Sequence, residues 1–261
     1  MPSALHIARS GLEALDAHLR TISNNLANVK TTGFKRDRTS FETLLYQTTR
    51  PGGAPVGADA RFGMGLTTGA GVRVAGTERE HKPGNIEVTS NAFDWAIDGE
   101  GFFEILMPDG TSAYTRAGAM TRDQEGRIVT PQGYELNPPI QIPEHATEIT
   151  LSPSGLVSAM LPGDAAPTEL GQLTLTTFIN PAGLEPISGT LYRESAASGP
   201  PEQQNAGENG AGYMRQGMLE TSNVSPVQEL VDMIETQRAY EINSKVISAA
   251  DEMMRYVNQT I

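Results

Sequence analysis

The sequence predicts an α+β protein, with long N- and C-terminal helices forming a coiled-coil-like domain and a mainly-β central domain between them. Three observations predict it. Apolar residues over the first 30 positions recur at alternating spacings of three and four. A second such segment opens at Ser225-Pro226 with a strong helix-start signal. Between the two lie short apolar runs punctuated by turn pairs such as Asp109-Gly110. The implied division is a discontinuous helical domain of residues 1–34 and 222–261, an extended linker over 35–71, and a β-rich domain over 72–221.

In the first helix, Leu5, Ala8, Leu12, Leu15, Leu19, Ile22, Leu26 and Val29 form an unbroken a/d heptad seam. At ~1.5 Å per residue the helix is roughly 40 Å long, and Gly33 supplies a stop. Counted from Leu5 as a, Asn24 is f, Asn25 is g and Asn28 is c, so all three lie off the seam. Asparagine is a poor helix former because its amide competes for nearby backbone groups. Three within two turns therefore need a reason.

The second helix starts with Ser225 as cap, Pro226 at the first helical position and Gln228 completing a capping box. Glu229 and Asp232 complement its positive end. Val227, Leu230 and Ile234 begin one stripe; after a change of register Ala239, Ile242, Val246, Ala249, Met253 and Tyr256 continue it. The intervening "ETQRAYEIN" is polar or small at its seam positions. Neither helix can bury its seam alone. A helix pair, or a polymer in which many pairs pack together, are the two solutions.

The middle reads as antiparallel β structure. "GFFEILMPDGTSAYTR" is a hairpin around Asp109-Gly110, further strands flank Gly126 and Pro131-Gln132-Gly133, and another pair flanks Ser154-Gly155. "GQLTLTTFIN" (171–180) alternates Leu173, Leu175 and Thr177 as one strand. Strand-turn-strand spacing without βαβ alternation favours a sandwich or irregular barrel over a nucleotide-binding fold. The Gly/Pro-rich segment 48–71 and the polar segment 197–212 read as linker and loop.

Composition narrows the function. The net charge is −12, but residues 1–38 hold six Lys/Arg against three Asp/Glu and residues 221–261 hold three against six, so the two ends are suited to pair. The acidic body excludes nucleic acid as a partner. With no cysteine, disulfides and thiolate metal sites are ruled out. His6, His18, His81 and His145 lack ligand spacing, and "GMGLTTG" (63–69) fails the dinucleotide pattern. Asp94, Asp98 and Glu100 cluster around Trp95, and paired carboxylates can do acid-base work, but they read as a turn before a strand. No cofactor, metal or catalytic residue is expected. No apolar leader core and no run of ~20 apolar residues is present, so no cleaved signal peptide and no membrane insertion are expected.

Both ends resemble one family, the axial proteins of the bacterial flagellum. "SNNLANVKTTGFKR" (23–36) is similar to its Asn-Asn-Leu-Ala-Asn and Thr-Gly-Phe-Lys signature, and "ETSNVSPVQELVDMIETQRAYEINSKVISAADEMM" to its closing helix with Gln-Arg-Ala-Tyr-Glu and Asn-x-Lys. The middle, from "GAGVRVAGTEREHKPGNIEVTSNAFDWAIDGEGFFEILMPDG" onward, resembles the distal-rod branch. The resemblance implies a helical homopolymer: a hollow rod crossing the periplasm that carries torque to the hook, its end helices lining the export channel and its β domain outward. It implies proximal rod, hook, surrounding basal-body rings and the flagellar type III export apparatus as partners. It also implies that a stretch within roughly 46–71 sets the stiff rod apart from the flexible hook.

Within that reading the seam residues, including Leu230, Ile234, Ile242, Val246, Ala249 and Met253, are expected to pack subunits together. Asn24, Asn25, Asn28, Gln237, Arg238, Asn243 and Lys245 are expected to bond across subunits or line the channel, since an amide satisfies a buried face at no charge cost. Two lone helices bury too little surface to offset their ordering, so both ends are expected to be mobile before assembly. The alternatives are another axial subunit, proximal rod or hook, and a soluble carbohydrate- or peptide-binding β module. The latter wants an aromatic groove that one Trp, seven Tyr and seven Phe scattered along the chain do not mark.

Overall fold

The computed structural model describes residues 2–53, 63–163 and 166–260. The chain is α+β, with a helix at each end and a mainly-β centre, and it divides into two compact units. Among the described residues no helix is long and apolar enough to cross a membrane.

The helical unit comprises Met1–Ala27, Asp37–Glu78 and Ser225–Ile261. Helix α1 runs Pro2–Ala27 and α2 runs Pro226–Thr260, with Pro226 at the start of α2 as the sequence predicts. The predicted capping box does not form, because Gln228 turns forward along the helix and donates to Asp232 Oδ1 at 2.8 Å. Four short strands belong here: β1 (Asp37–Thr43), β2 (Gln47–Arg50), β3 (Leu66–Thr68) and β4 (Val72–Arg79). β1 pairs with β4, and β2 pairs antiparallel with β3. The predicted linker therefore carries strands. Leu45, Tyr46, Met64 and Leu66 on this hairpin are exposed. Of the rod-specific stretch expected within 46–71, positions 54–62 lie outside the described residues.

β1 runs back along α1. Phe41 sits edge-on to His18 with ring centroids 5.6 Å apart, Thr39 Oγ1 is 2.9 Å from Thr21 Oγ1, and Asp37 meets Asn25. Successive helix turns thus meet alternate strand residues, which is what a 3.6 period and a 2.0 period side by side allow.

The β unit comprises Asn28–Arg36 and Arg79–Val224. Its main sheet has seven antiparallel strands, in spatial order Glu185–Ser188, Leu191–Arg193, Ser112–Thr115, Phe103–Leu106, Glu135–Asn137, Ile128–Val129 and Thr121–Arg122. The Asp109-Gly110 hairpin pairs Phe103 with Thr115, and Gly110 takes the positive φ (80°) that the turn requires. Glu148–Leu151, Leu156–Met160 and Thr168–Gln172 form a three-stranded sheet. Trp95, Ile97, Phe103, Ile105, Leu136, Val157, Leu173 and Leu175 are all fully buried.

Two expectations change. The strand predicted over 171–180 breaks at Leu173, whose N–H turns to Gly155 O. Before the break the chain pairs with Leu156–Met160, and after it Thr174–Thr177 pairs with Glu202–Asn205. That partner lies inside the predicted 197–212 loop. "EQQN" has no apolar alternation, and its place is fixed by backbone ladder bonds, which any residue but proline can make. The carboxylates around Trp95 also part company. Asp94 bonds Asn91, Asp98 pairs with Arg215, and Glu100 is exposed.

Candidate subunit-packing site

The two end helices pack against each other, and two contacts fix how. Asn25 Nδ2 lies 3.2 Å from Glu229 Oε2, and a Cβ on Gly11 would stand 3.1 Å from Asn243 Nδ2. These contacts lie 14 residues apart on each helix, in opposite directions, so α1 and α2 are antiparallel. On α1 the buried positions are Ala8, Ala14, Thr21, Ile22 and Asn25. Leu5, Leu12, Leu15, Leu19, Leu26 and Val29 are half-buried. The packed face is thus turned from the predicted seam toward its small and polar flank, where Gly11 and Ala14 let the helices approach closely.

On α2 the offset holds at every position but Ala239. Glu229 and Thr236 are buried, and Met233, Ala239, Asn243, Ile247, Ala250 and Met254 are half-buried, a row at spacings of three and four. The predicted stripe lies one position away and faces outward. Leu230 is 47% exposed, Ile234 51%, Ile242 63%, Val246 50% and Met253 53%, and Ala249 is exposed as well. Only Ala239 belongs to both rows. This apolar row is therefore left uncovered among the described residues.

The asparagines divide. Asn25, 1% exposed, uses its whole amide internally. Its Oδ1 accepts from Asp37 N at 2.9 Å, and its Nδ2 donates to Asp37 O at 2.8 Å and to Glu229. Within the chain it is a clamp joining α1, β1 and α2. The cause is rotational, since position g of the heptad falls on the face that β1 and α2 cover. Asn28 ends the helix, its O and Oδ1 accepting from Thr31 N and Oγ1. Asn24 is exposed, as are Gln237, Arg238 and Lys245, while Asn243 lies over Gly11 inside the pair.

Beyond α1, the rest of the signature fastens into the β unit. Gly33 has φ +68°, and a Cβ there would lie 2.5 Å from Ala117 N, so only glycine fits. Its N–H reaches Glu220 O at 2.9 Å. Phe34 is buried next door. Lys35 Nζ then bonds Glu220 Oε1 (2.5 Å) and Lys82 O (2.7 Å). Glu220 also takes Gly84 N (2.8 Å) and Arg116 Nη1 (3.3 Å), and Arg116 Nη2 donates to Gly99 O (2.7 Å). Burial pulls the Lys35 ammonium below its ordinary range, and Glu220 opposes the shift. Burial lowers Arg116 likewise, again against Glu220. Sequence reasoning misses Arg116 and Glu220, which sit singly in "YTRAG" and "MLETS" with no periodicity to mark them as internal.

Three segments of the chain match known families. The flagella basal body rod protein family matches residues 5–35, the flagellar basal body rod FlgEFG protein C-terminal family matches 215–260, and the flagellar hook protein FlgE/F/G D1 domain matches 96–159. The flagellar basal-body rod protein FlgG of Buchnera aphidicola (from Acyrthosiphon pisum) is 46% identical over 99% of this chain and 100% of its own length. This chain belongs to the FlgG family. FlgG of Caulobacter vibrioides is 44% identical over 98% of both chains, whereas FlgF of the same organism is 30% identical over 98% of this one. FlgG-family chains are structural, and this one is not an enzyme. Both internal locks, Asn25–Glu229 and Lys35–Glu220, join the segment matched at the N-terminus to the segment matched at the C-terminus.

Proposed function

We propose that the chain is the structural subunit of the flagellar distal rod, polymerising helically into a hollow shaft that transmits torque from motor to hook and encloses the export channel. The exposed α2 row carries this reading. Five large apolar side chains about half exposed, at helical spacing, are a face built for another helix. Covering them adds about 1 kcal/mol each, roughly 5 kcal/mol per copy. Neighbouring copies supply the cover, and coiled-coil-like packing arises between subunits through this row. Asn24, Gln237, Arg238 and Lys245 are the polar groups left on outward surfaces to set register across copies. The terminal helices gain their full order on polymerisation, which hydrogen exchange of amides 5–29 in free chain and rod compares directly.

Partners of the assembled rod are the proximal rod and hook at its two ends and the surrounding rings along its length. The chain reaches its place in the periplasm through the flagellar type III export apparatus. Electron microscopy of basal bodies from a strain lacking the gene tests the whole. A short inner structure without distal rod or hook supports the reading. A finished rod without a hook would make this the hook subunit, and intact flagella would end it.

A further inference from the structure

The β unit holds a cavity of about 220 Å³ whose walls include His81, Lys82, Glu100, Gly101, Phe102 and Arg116. Its polar atoms are incompletely served. Arg116 is 2% exposed and spends Nη1 on Glu220 and Nη2 on Gly99, but its Nε meets no hydrogen-bond partner among the described residues. Both ring nitrogens of His81 are buried and equally without one. The His81 ring is held edge-on to Phe102 (5.5 Å) and Tyr192 (5.2 Å), so packing fixes it in place. Buried donors left without partners cost stability unless something supplies the missing bonds.

The charge around these atoms is positive. Lys35, Arg79 and Arg116 all act on His81, and Lys82 stands on the rim. Glu220 is committed to Lys35, Arg116 and Gly84 N, and Glu100 is the rim's one carboxylate among the described lining residues. Phe102, Phe178 and Pro181 give the cavity an apolar wall, with the Arg116 guanidinium 5.4 Å from the Phe102 ring centre.

We propose that this cavity binds a carboxylate, with Arg116 Nε–H and a His81 ring N–H donating to its oxygens and the phenyl wall packing on its carbon stem. A planar monoanion suits a site with few donors, whereas a phosphate would leave oxygens unserved and carry more charge toward Glu100. The carboxylate has two sources, an Asp or Glu side chain of a second copy of this acidic chain or a free small organic acid. Bound beside His81, it also offsets the positive charge of Lys35, Arg79 and Arg116.

The test uses the full chain and sodium acetate as probe, read by the His81 Cε1–H resonance and the Gly101 amide. Acetate should shift both saturably, while sodium chloride at equal ionic strength should not. His81→Phe keeps the ring packing, checked by thermal unfolding, and should weaken the acetate response about tenfold. Sedimentation of concentrated chain with and without acetate separates the sources. Acetate that dissolves self-association assigns the site to a second copy's side chain, and binding without that effect assigns it to a free acid. Equal shifts in acetate and chloride, or an undiminished response in His81→Phe, would overturn the proposal. The resonance arm stands whether or not the chain forms a rod.

Discussion

Lys35 Nζ lies 2.5 Å from Glu220 Oε1, with the two side chains 0% and 1% exposed. A charge so placed is tolerable only while its partner is present. Glu220 answers two cations, Lys35 and Arg116, so the partners are not equivalent. Glu220→Gln strands both and should cost the β unit about 3–5 kcal/mol. Lys35→Met leaves Glu220 paired with Arg116 and should cost less, about 1–3 kcal/mol. Urea unfolding followed at Trp95 checks the order; equal losses would mean that Arg116 does not share the carboxylate.

Asn25 makes a second prediction. Asn25→Ala removes three bonds and should loosen the helical unit by about 1–3 kcal/mol. Asn25→Asp keeps the acceptor for Asp37 N but sets a second carboxylate against the buried Glu229. That repulsion is on the order of 4 kcal/mol at an intermediate dielectric. The Asp variant should therefore be the worse at pH 7 and recover as acid protonates one of the pair. Amide exchange along α1 at pH 7 and pH 4 shows whether it does.

The same residue shows what was legible in the sequence and what was not. Helix existence followed from 3-4 spacing and from Pro226, and the hairpins followed from Asp109-Gly110 and Ser154-Gly155, because those signals are local. The face on which the helices meet did not follow. Among its members Gly11, Ala14, Thr21, Asn25, Glu229, Thr236 and Asn243 are small or polar, and they break up the apolar spacing of Met233, Ala239, Ile247 and Met254. The period that could be read, over Leu230, Ile234, Ile242 and Val246, belongs to the exposed face of α2. Lys35 and Glu220 were illegible for a related reason, since a lone charge in a sequence reads as exposed until its partner is known.

His81 predicts the acid side of the stability curve. Unfolded, its imidazole takes a proton near 6.5; folded, only at about 3, because burial and then Lys35, Arg79 and Arg116 oppose the charge. Between those values the unfolded chain binds the extra proton. Stability from this group is full above about pH 6.5 and is lost as pH falls toward 3. The slope is up to about 1.4 kcal/mol per pH unit. His81→Phe should flatten that limb. Denaturant midpoints taken between pH 7 and pH 3.5, in buffers free of carboxylates, measure it; parallel curves for the two chains would place the imidazole in water.

The two rows of α2 separate folding from assembly. Ile242 and Val246 are 63% and 50% exposed, so Ile242→Asp or Val246→Asp touches little within the chain and should change its stability by about 0.5 kcal/mol or less. In a rod, either would bury a carboxylate against a neighbouring helix without a partner, which no gain elsewhere offsets. Ile247→Asp and Ala250→Asp strike the row that packs on α1 and should unfold the helix pair before any assembly is attempted. The outward variants should thus give folded, soluble, non-motile product, and the inward ones a chain with reduced helix signal. Circular dichroism of the purified chains, with swarming of complemented cells, resolves the four. Full motility in Ile242→Asp and Val246→Asp would mean that the exposed row faces solvent in the rod, and the assembly surface would have to be sought on α1.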